Sequence, residues 1–275
     1  MQTYLINLHR ETERRAFMES QFKALGISYE RIEAVKASDI TMSYLLDTVR
    51  PDGRWLGQKS GACIKSASGQ GMLALPLLGR YITSSEVACY MSHRKAIARF
   101  VDSGSSWTCI FEDDVELGDD LVAILEAIAG KTDYAIVKLH GILPYHFDIG
   151  QRVMDLSNWS VRFRFKPSTG ASAYFITRAA AVTLLASLSP IREPYDNWLR
   201  QYWRHGISVY ELSPFAVKQA TKFQSTITER DLSVQPSVEF TRIARMMLAP
   251  IKFWYKTLRV LRRLAFFIRM GGKLR

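Results

Sequence analysis

The chain has 275 residues, of which 48% are hydrophobic and 23% charged, a balance that excludes a disordered or low-complexity chain and suits one large domain, alone or with an appendage. The net charge of +11 lies in the tail: of 37 Lys and Arg, ten fall in residues 240–275 with no acid beside them, leaving 27 basic against 26 acidic residues elsewhere. A nearly neutral body lacks the basic face that a nucleic-acid binder needs, so nucleic acid is not expected as a partner.

In chain order, "TYLINL" reads as a short apolar strand. "ETERRAFMESQFKALG" reads as a helix, with Thr12 as its cap, Met18, Phe22 and Leu25 on one face and Gly26 at its end. "YERIEAV" is the next strand. Residues 50–85 are rich in Gly and Ser and read as a long mobile loop. "SEVACYMSHRKAIARFVDSG" is a helix with Val87, Met91, Ala98 and Val101 among its apolar positions. "SWTCIFEDDV" is a strand, "DDLVAILEAIAG" a helix with acids in its first turn, and "YAIVKLHG" a strand. "ASAYFITRAAAVTLLASL" is a strand running into a helix, "YDNWLRQYWRHG" a helix and "ISVYEL" a final strand. Strands alternating with helices imply an α/β domain with a mostly parallel sheet, covering residues 1–235.

The chemistry concentrates in "IFEDDV", where an apolar run stops at Glu112, Asp113 and Asp114. Adjacent carboxylates repel and cost desolvation, so a positive partner is expected beside them. At the carboxyl end of a strand in an α/β sheet, such a cluster suits a hard divalent cation, Mn²⁺ or Mg²⁺, shared with phosphate oxygens. No glycine-rich phosphate loop accompanies it. Cys63, Cys89 and Cys109 form neither a disulfide framework nor a zinc spacing. With no secretory leader and no apolar run longer than "MLALPLL", the expected setting is reduced and cytoplasmic.

Several segments together resemble glycosyltransferase family 25, over about residues 3–226. "YLINLHRETERR" is similar to that family's opening strand. "EVACYMSHRKAI" resembles its Gly-Cys-x-x-Ser-His segment through Cys89, Ser92 and His93, with Ala88 in place of the usual Gly. "IFEDDV" resembles its acidic motif, "TGASAYFITRAAAVTLL" its Gly-x-x-x-Tyr strand and helix, and "PYDNWL" and "VYELSPFAVKQ" its last core motifs. Lys36-Ala37 stands where an Asp-Gly pair is common.

The resemblance implies a GT-A-like (Rossmann-like) fold and an inverting transfer of galactose or glucose from a UDP-sugar to a glycan or glycolipid acceptor of the lipooligosaccharide type. In that reading Asp114 contacts the metal and Asp113 the metal or the ribose. Asp196 is the base, with helix N-capping as its alternative role; Glu193 is the reserve base. Asn7, Leu8, Arg10 and Arg14 meet the uracil and phosphates, although Arg14 could equally be a solvated helix charge. Ser92, His93 and Glu112 line the donor site, with a bonded structural role open for His93. Gly170 and Tyr174 border the sugar, or Tyr174 belongs to the core. Gln219 contacts diphosphate or metal.

After Pro250, Ile251, Trp254, Leu258, Leu261, Ala265 and Ile268 recur at helical spacing, while Lys252, Lys256, Arg259 and Arg263 gather on another side. Residues 240–275 therefore read as an interfacial helix on an anionic membrane, placing the protein on the inner face of the cytoplasmic membrane. The alternative is a helix packed on the body with its basic side in water. Two other classes compete: a metal-dependent phosphoesterase and a non-catalytic membrane-associated sugar-binding protein.

Overall fold

The computed structural model describes residues 2–50, 52, 63–65, 71–75, 77–78, 80–131, 135–142, 149–223 and 242–271. The composition break near residue 235 and much of the 50–85 stretch lie outside these residues.

Strand β1 (Thr3–Asn7) is buried at every position. Helix α1 (Thr12–Ala24) follows, buried through Arg14, Met18 and Phe22. Glu11 rather than Thr12 is its N-cap residue, and no side chain caps it. Gly26 ends it at φ +64°, a left-handed conformation that costs glycine nothing. Strand β2 (Tyr29–Glu33) leads to a single turn (Ala37–Asp39) and helix α2 (Met42–Thr48). The 50–85 stretch contains order that the sequence reading did not anticipate. β3 (Cys63–Lys65), β4 (Gly71–Leu75) and β5 (Arg80–Thr83) form a three-stranded antiparallel sheet. Its seam is the apolar Met72–Leu75 run, all four residues buried.

Helix α3 (Ser84–Ser103) starts at a capping box: Thr83 accepts from the Glu86 amide and Glu86 accepts from the Thr83 amide. It stops at Gly104, φ +79°. Val87 is on its buried side as expected, but Met91, Ala98 and Val101 are only partly buried. Tyr90, Ile97 and Phe100 fill the core instead, with Ser92 and His93 beside them. Strand β6 (Trp107–Glu112) buries Cys109, Ile110 and Phe111 completely, the continuous apolar run of a strand covered on both faces. β7 (Val115–Leu117), α4 (Leu121–Ala129) and β8 (Ile136–Lys138) follow, with Asp119 and Asp120 just ahead of α4. A hairpin of β9 (Gly150–Leu156) and β10 (Trp159–Arg164) precedes β11 (Ala173–Thr177) and α5 (Arg178–Ser187). The expected single helix at 195–206 is two, α6 (Tyr195–Leu199) and α7 (Tyr202–His205). At the break the buried Gln201 side chain donates to Asn197 O and to Glu193. β12 (Val209–Ser213) and β13 (Val217–Gln219) complete the body, β13 pairing with β7.

The central sheet has eight strands in the order β2-β1-β6-β11-β8-β12-β10-β9. Six strands point one way and β11 and β10 the other, so three neighbouring pairs are parallel and four antiparallel. The sheet is thus mixed: most strands run the same way, as the alternation of elements predicted, and β11 and β10 are reversed. β11 wedges between β6 and β8, and the β9–β10 hairpin extends the edge. From β1 the chain turns through α1 to β2 on one side and later returns through α3 to β6 on the other. Strand order therefore reverses between β1 and β6, the place where such sheets open a crevice at their carboxyl ends.

The last helix, α8 (Arg242–Arg269), contains Pro250 and lies against α7. Phe267 is fully buried and stacks on Phe163, with ring centroids 5.5 Å apart. Among the described residues no helix is long and apolar enough to cross a membrane.

Candidate active site

At the reversal between β1 and β6 lies a cavity of about 620 Å³, walled by the ends of β1, β2 and β6, the first turns of α1, the 34–42 segment and α3. Of the sequence-selected residues, Asn7, Leu8, Arg10, Arg14, Ser92, His93, Glu112, Asp113 and Asp114 line it together. Their meeting follows from register: Ile6 pairs with Glu112 across the parallel β1–β6 ladder, so both strands end at one level.

The positive partner of the acids is Arg14. It is 5% exposed, with Nη1 3.2 Å from Asp113 Oδ1 and 3.6 Å from Asp114 Oδ2. Arg14 is thus a buried ion-pair residue, not a solvated helix charge. Asn7 donates its amide to Asp113 Oδ2 at 2.7 Å. Burial raises the Asp113 carboxyl pKa, and Asn7 and Arg14 only partly offset it. Burial, followed by the charges of Glu112 and Asp113, pushes Asp114 up to about 7. One guanidinium does not balance this cluster, and Asp114 Oδ1 is buried without a hydrogen-bond partner. An orphaned, destabilised carboxylate oxygen on a residue of the cavity lining fits a hard divalent cation, so Asp113 and Asp114 are the residues that would hold Mn²⁺ or Mg²⁺.

Glu112 belongs to a different network. Its Oε1 lies 3.0 Å from His93 Nε2, while His93 Nδ1 lies 3.2 Å from Tyr174 Oη, which is 2.9 Å from Tyr195 Oη. The His93 ring stacks on Tyr195, with centroids 4.1 Å apart. Burial opposes ionisation of Glu112, but the His93 contact and the Ser172 hydrogen bond bring its pKa below the usual carboxylate value. Tyr174 is fully buried behind His93, in the core rather than on the cavity wall. Ser92 lines the cavity and anchors its wall, accepting from the Val35 amide at 2.9 Å.

The remaining candidates lie outside the cavity lining. Gln219 is exposed and donates to the Asp114 carbonyl oxygen at 3.0 Å, so it buttresses the acidic turn. Asp196 is half-buried in the first turn of α6, where Pro194 is the N-cap residue, so Asp196 does not cap that helix. Its Oδ2 accepts from Gly170 N at 3.4 Å and its Oδ1 from Asn197 N at 2.7 Å. Its charge reaches the cavity wall: after burial and Glu112, Asp196 helps raise the Cys89 thiol pKa. Gly170 sits at φ +81° beside His140. Glu193 points elsewhere. It is 3% exposed and accepts from Gln201 at 2.7 Å, with Arg204 at 3.5 Å and Arg259 at 3.8 Å. That ion network holds it outside the cavity lining.

Sequence reasoning missed three features. Ser38 and Thr41 from the segment ahead of α2, and Ser84 and Ser85 from the first turn of α3, also line the cavity, in stretches of ordinary composition. Cys89 Sγ, His93 Nε2 and a Glu112 oxygen lie within 4.8 Å of one another, a second grouping able to hold a metal. The signal was present as Cys and His four apart on one helix, although the cysteines alone show no metal spacing. Finally, Lys138 is buried under the Ser168–Gly170 turn, donating to Ser168 O at 2.6 Å, Ser168 Oγ at 2.7 Å and Thr169 O at 3.1 Å. Burial pulls its pKa down to about 8 although Glu211 lies 3.9 Å away. This cluster shapes the turn that presents the Gly170 amide to Asp196.

Residues 1–199 match the family model described as "Glycosyltransferase family 25 (LPS biosynthesis protein)". The chain is 25% identical over 244 residues to the lacto-N-neotetraose biosynthesis glycosyltransferase LgtE of Neisseria gonorrhoeae, covering 84% of this chain and 79% of that protein. It is 24% identical over 191 residues to the lipooligosaccharide biosynthesis protein lic2B of Haemophilus influenzae, covering 67% of this chain and 62% of that one. It is 26% identical over 237 residues to the inactive glycosyltransferase 25 family member 3 of Mus musculus, covering 78% of this chain and 36% of that protein. With 199 of its 275 residues matched by the model, the chain belongs to glycosyltransferase family 25.

Proposed function

We propose that this protein is an inverting, GT-A-like glycosyltransferase that moves galactose or glucose from a UDP-sugar to a saccharide acceptor of a lipooligosaccharide-type glycan. One observation carries the reading: the acidic turn, Asn7 and Arg14 meet at the strand reversal around a cavity of about 620 Å³, within the range that encloses a small ligand. In this reading Asn7 and Leu8 meet the uracil, and Arg10 and Arg14 face the diphosphate. Ser92, His93 and Glu112 border the donor. Asp113 and Asp114 would hold Mn²⁺ or Mg²⁺, which when bound supplies charge relief to the departing diphosphate.

Inversion requires a base on the acceptor hydroxyl. Asp196 takes that proton, held in place by the Gly170 and Asn197 amides. Glu193, enclosed by cations, keeps the segment before Asp196 in position. The site works on the inner face of the cytoplasmic membrane, to which residues 240–275 attach the protein.

The test is a transfer assay with UDP-galactose and UDP-glucose on saccharide acceptors, with and without Mn²⁺. Transfer that needs the metal and falls in Asp196→Asn supports the reading. Binding of UDP-sugars without transfer or donor hydrolysis would make this chain a non-catalytic member, as the name of the mouse relative describes that protein. Phosphodiester hydrolysis without an acceptor would favour a phosphoesterase.

A further inference from the structure

A helix packed on a soluble protein normally turns its apolar side inward and its charges to water. α8 departs from this pattern, although Leu248 and Phe267 are buried. Its inner side carries the polar groups: the Tyr255 hydroxyl donates to Asp52 at 3.0 Å, and Arg259 lies 3.8 Å from Glu193. The Arg263 guanidinium stacks over Trp203 at 4.2 Å and over Phe165 at 5.4 Å. Phe266 and Phe267 close this side against Tyr202 and Phe163.

The outer side is apolar. Met246, Phe253, Trp254, Leu258, Leu261 and Ile268 are exposed, Trp254 by 61% and Leu261 by 52%. At about 100° per residue these six fall in one sector about 140° wide, which contains no charged residue. The exposed Arg262 and Arg269 border that sector on one side, and Lys256 lies beyond the other. Such a stripe in water calls for a cover.

We infer that α8 lies flat on an anionic lipid surface, its apolar stripe inserted and Lys256, Arg262 and Arg269 at the headgroups, while Arg259 and Arg263 stay bound to the body. This rests on the membrane attachment proposed above and assigns which face makes it. Charge selects the occupant. Residues 240–275 contain no acid, so a second copy docked on the same stripe would oppose like charges, whereas an anionic bilayer complements them. No described helix suits a transmembrane span, and Trp and Phe favour the interface. Because the inner side holds Glu193, three residues before Asp196, insertion would fix the orientation of the proposed active site relative to the bilayer.

The test uses the full chain and vesicles of neutral lipid alone or mixed with phosphatidylglycerol, read by co-sedimentation. Wild type is expected to bind the anionic vesicles, with binding weakened but not abolished at high salt. The variant Phe253→Ser/Trp254→Ser/Leu261→Ser is expected to bind on the order of 100-fold more weakly, with thermal midpoint and UDP–Mn²⁺ thermal shift unchanged. Lys256→Gln/Arg262→Gln/Arg269→Gln should lose the preference for anionic lipid. Arg259→Gln/Arg263→Gln should lower the midpoint and leave vesicle affinity alone.

Equal vesicle binding by wild type and the serine variant would overturn the inference, as would no binding by wild type. A self-association of wild type that the serine variant abolishes would assign the stripe to a second copy and overturn it too. None of these outcomes bears on transfer to a soluble acceptor, which tests the catalytic reading separately.

Discussion

Replacing Asp114 with Asn probes the acidic turn without changing its shape. In the metal-free protein, burial and the neighbouring Glu112 and Asp113 raise this carboxyl from 3.8 to about 7. Between those values the folded chain keeps a proton that the unfolded chain has released, so stability falls as pH rises toward 7 and then levels off. The gap is worth about 4 kcal/mol at pH 8. Part of that is offset in the variant, because Arg14 loses its ion pair with Asp114 while keeping Asp113 at 3.2 Å. A net gain of about 1–3 kcal/mol is expected for Asp114→Asn at pH 8, a rise in thermal midpoint of roughly 2–5 °C. At pH 4 the gain should nearly vanish, since the wild-type carboxyl is protonated there. Scanning calorimetry from pH 4 to 8 gives the comparison. Mn²⁺ should raise the wild-type midpoint at pH 8 and leave the variant unmoved. A variant less stable than wild type at pH 8, or a difference independent of pH, would refute the electrostatic argument. An undiminished Mn²⁺ shift would remove Asp114 from the metal site.

Asp196→Asn should bind donor normally, measured by thermal shift with UDP and Mn²⁺, and transfer sugar roughly 10²–10⁴-fold more slowly; full activity would end its assignment as base. Arg14→Met leaves Asp113 and Asp114 buried without their cation and should cost about 3–5 kcal/mol at pH 8 by denaturant unfolding, with much of the loss recovered at pH 5 as the carboxyls protonate. Lys138→Met should cost about 2–4 kcal/mol by the same measurement. It should also lower kcat more than it raises the donor KM, because the Ser168–Gly170 turn that meets Asp196 loses its support. Deleting α8 uncovers Phe163 and Trp203 and takes Arg259 from Glu193, so the thermal midpoint should fall by several degrees; an unchanged midpoint would mean that α8 adds nothing to the body.

What the sequence determined by itself was local or additive. The apolar run ending at Glu112, the helix read over 85–104 and the strand at the start of the chain were readable because burial of a strand or a helix stripe writes a short-range pattern. The surplus of positive charge after residue 240 needed only counting. The meeting of Asn7, Arg14, His93 and Asp113 around one cavity was foreseen through resemblance, since no residue spacing encodes it.

Tertiary structure decided the rest. Arg14 became a buried counter-ion because α1 packs its first turn over the end of β6, 99 residues further on. Of its two expected places Tyr174 took the core, and Glu193 took an ion network, because a polar side chain's surroundings depend on which partners the fold brings to it. The sheet became mixed because insertion of β11 and addition of β9–β10 are choices of pairing, and pairing between distant strands leaves no periodic trace. α8 turned Tyr255, Arg259 and Arg263 inward because Asp52, Glu193 and the rings of Trp203 and Phe165 offer them partners that helical spacing cannot reveal. Its composition marked two faces; only packing on the body decided which one is left to meet the surroundings.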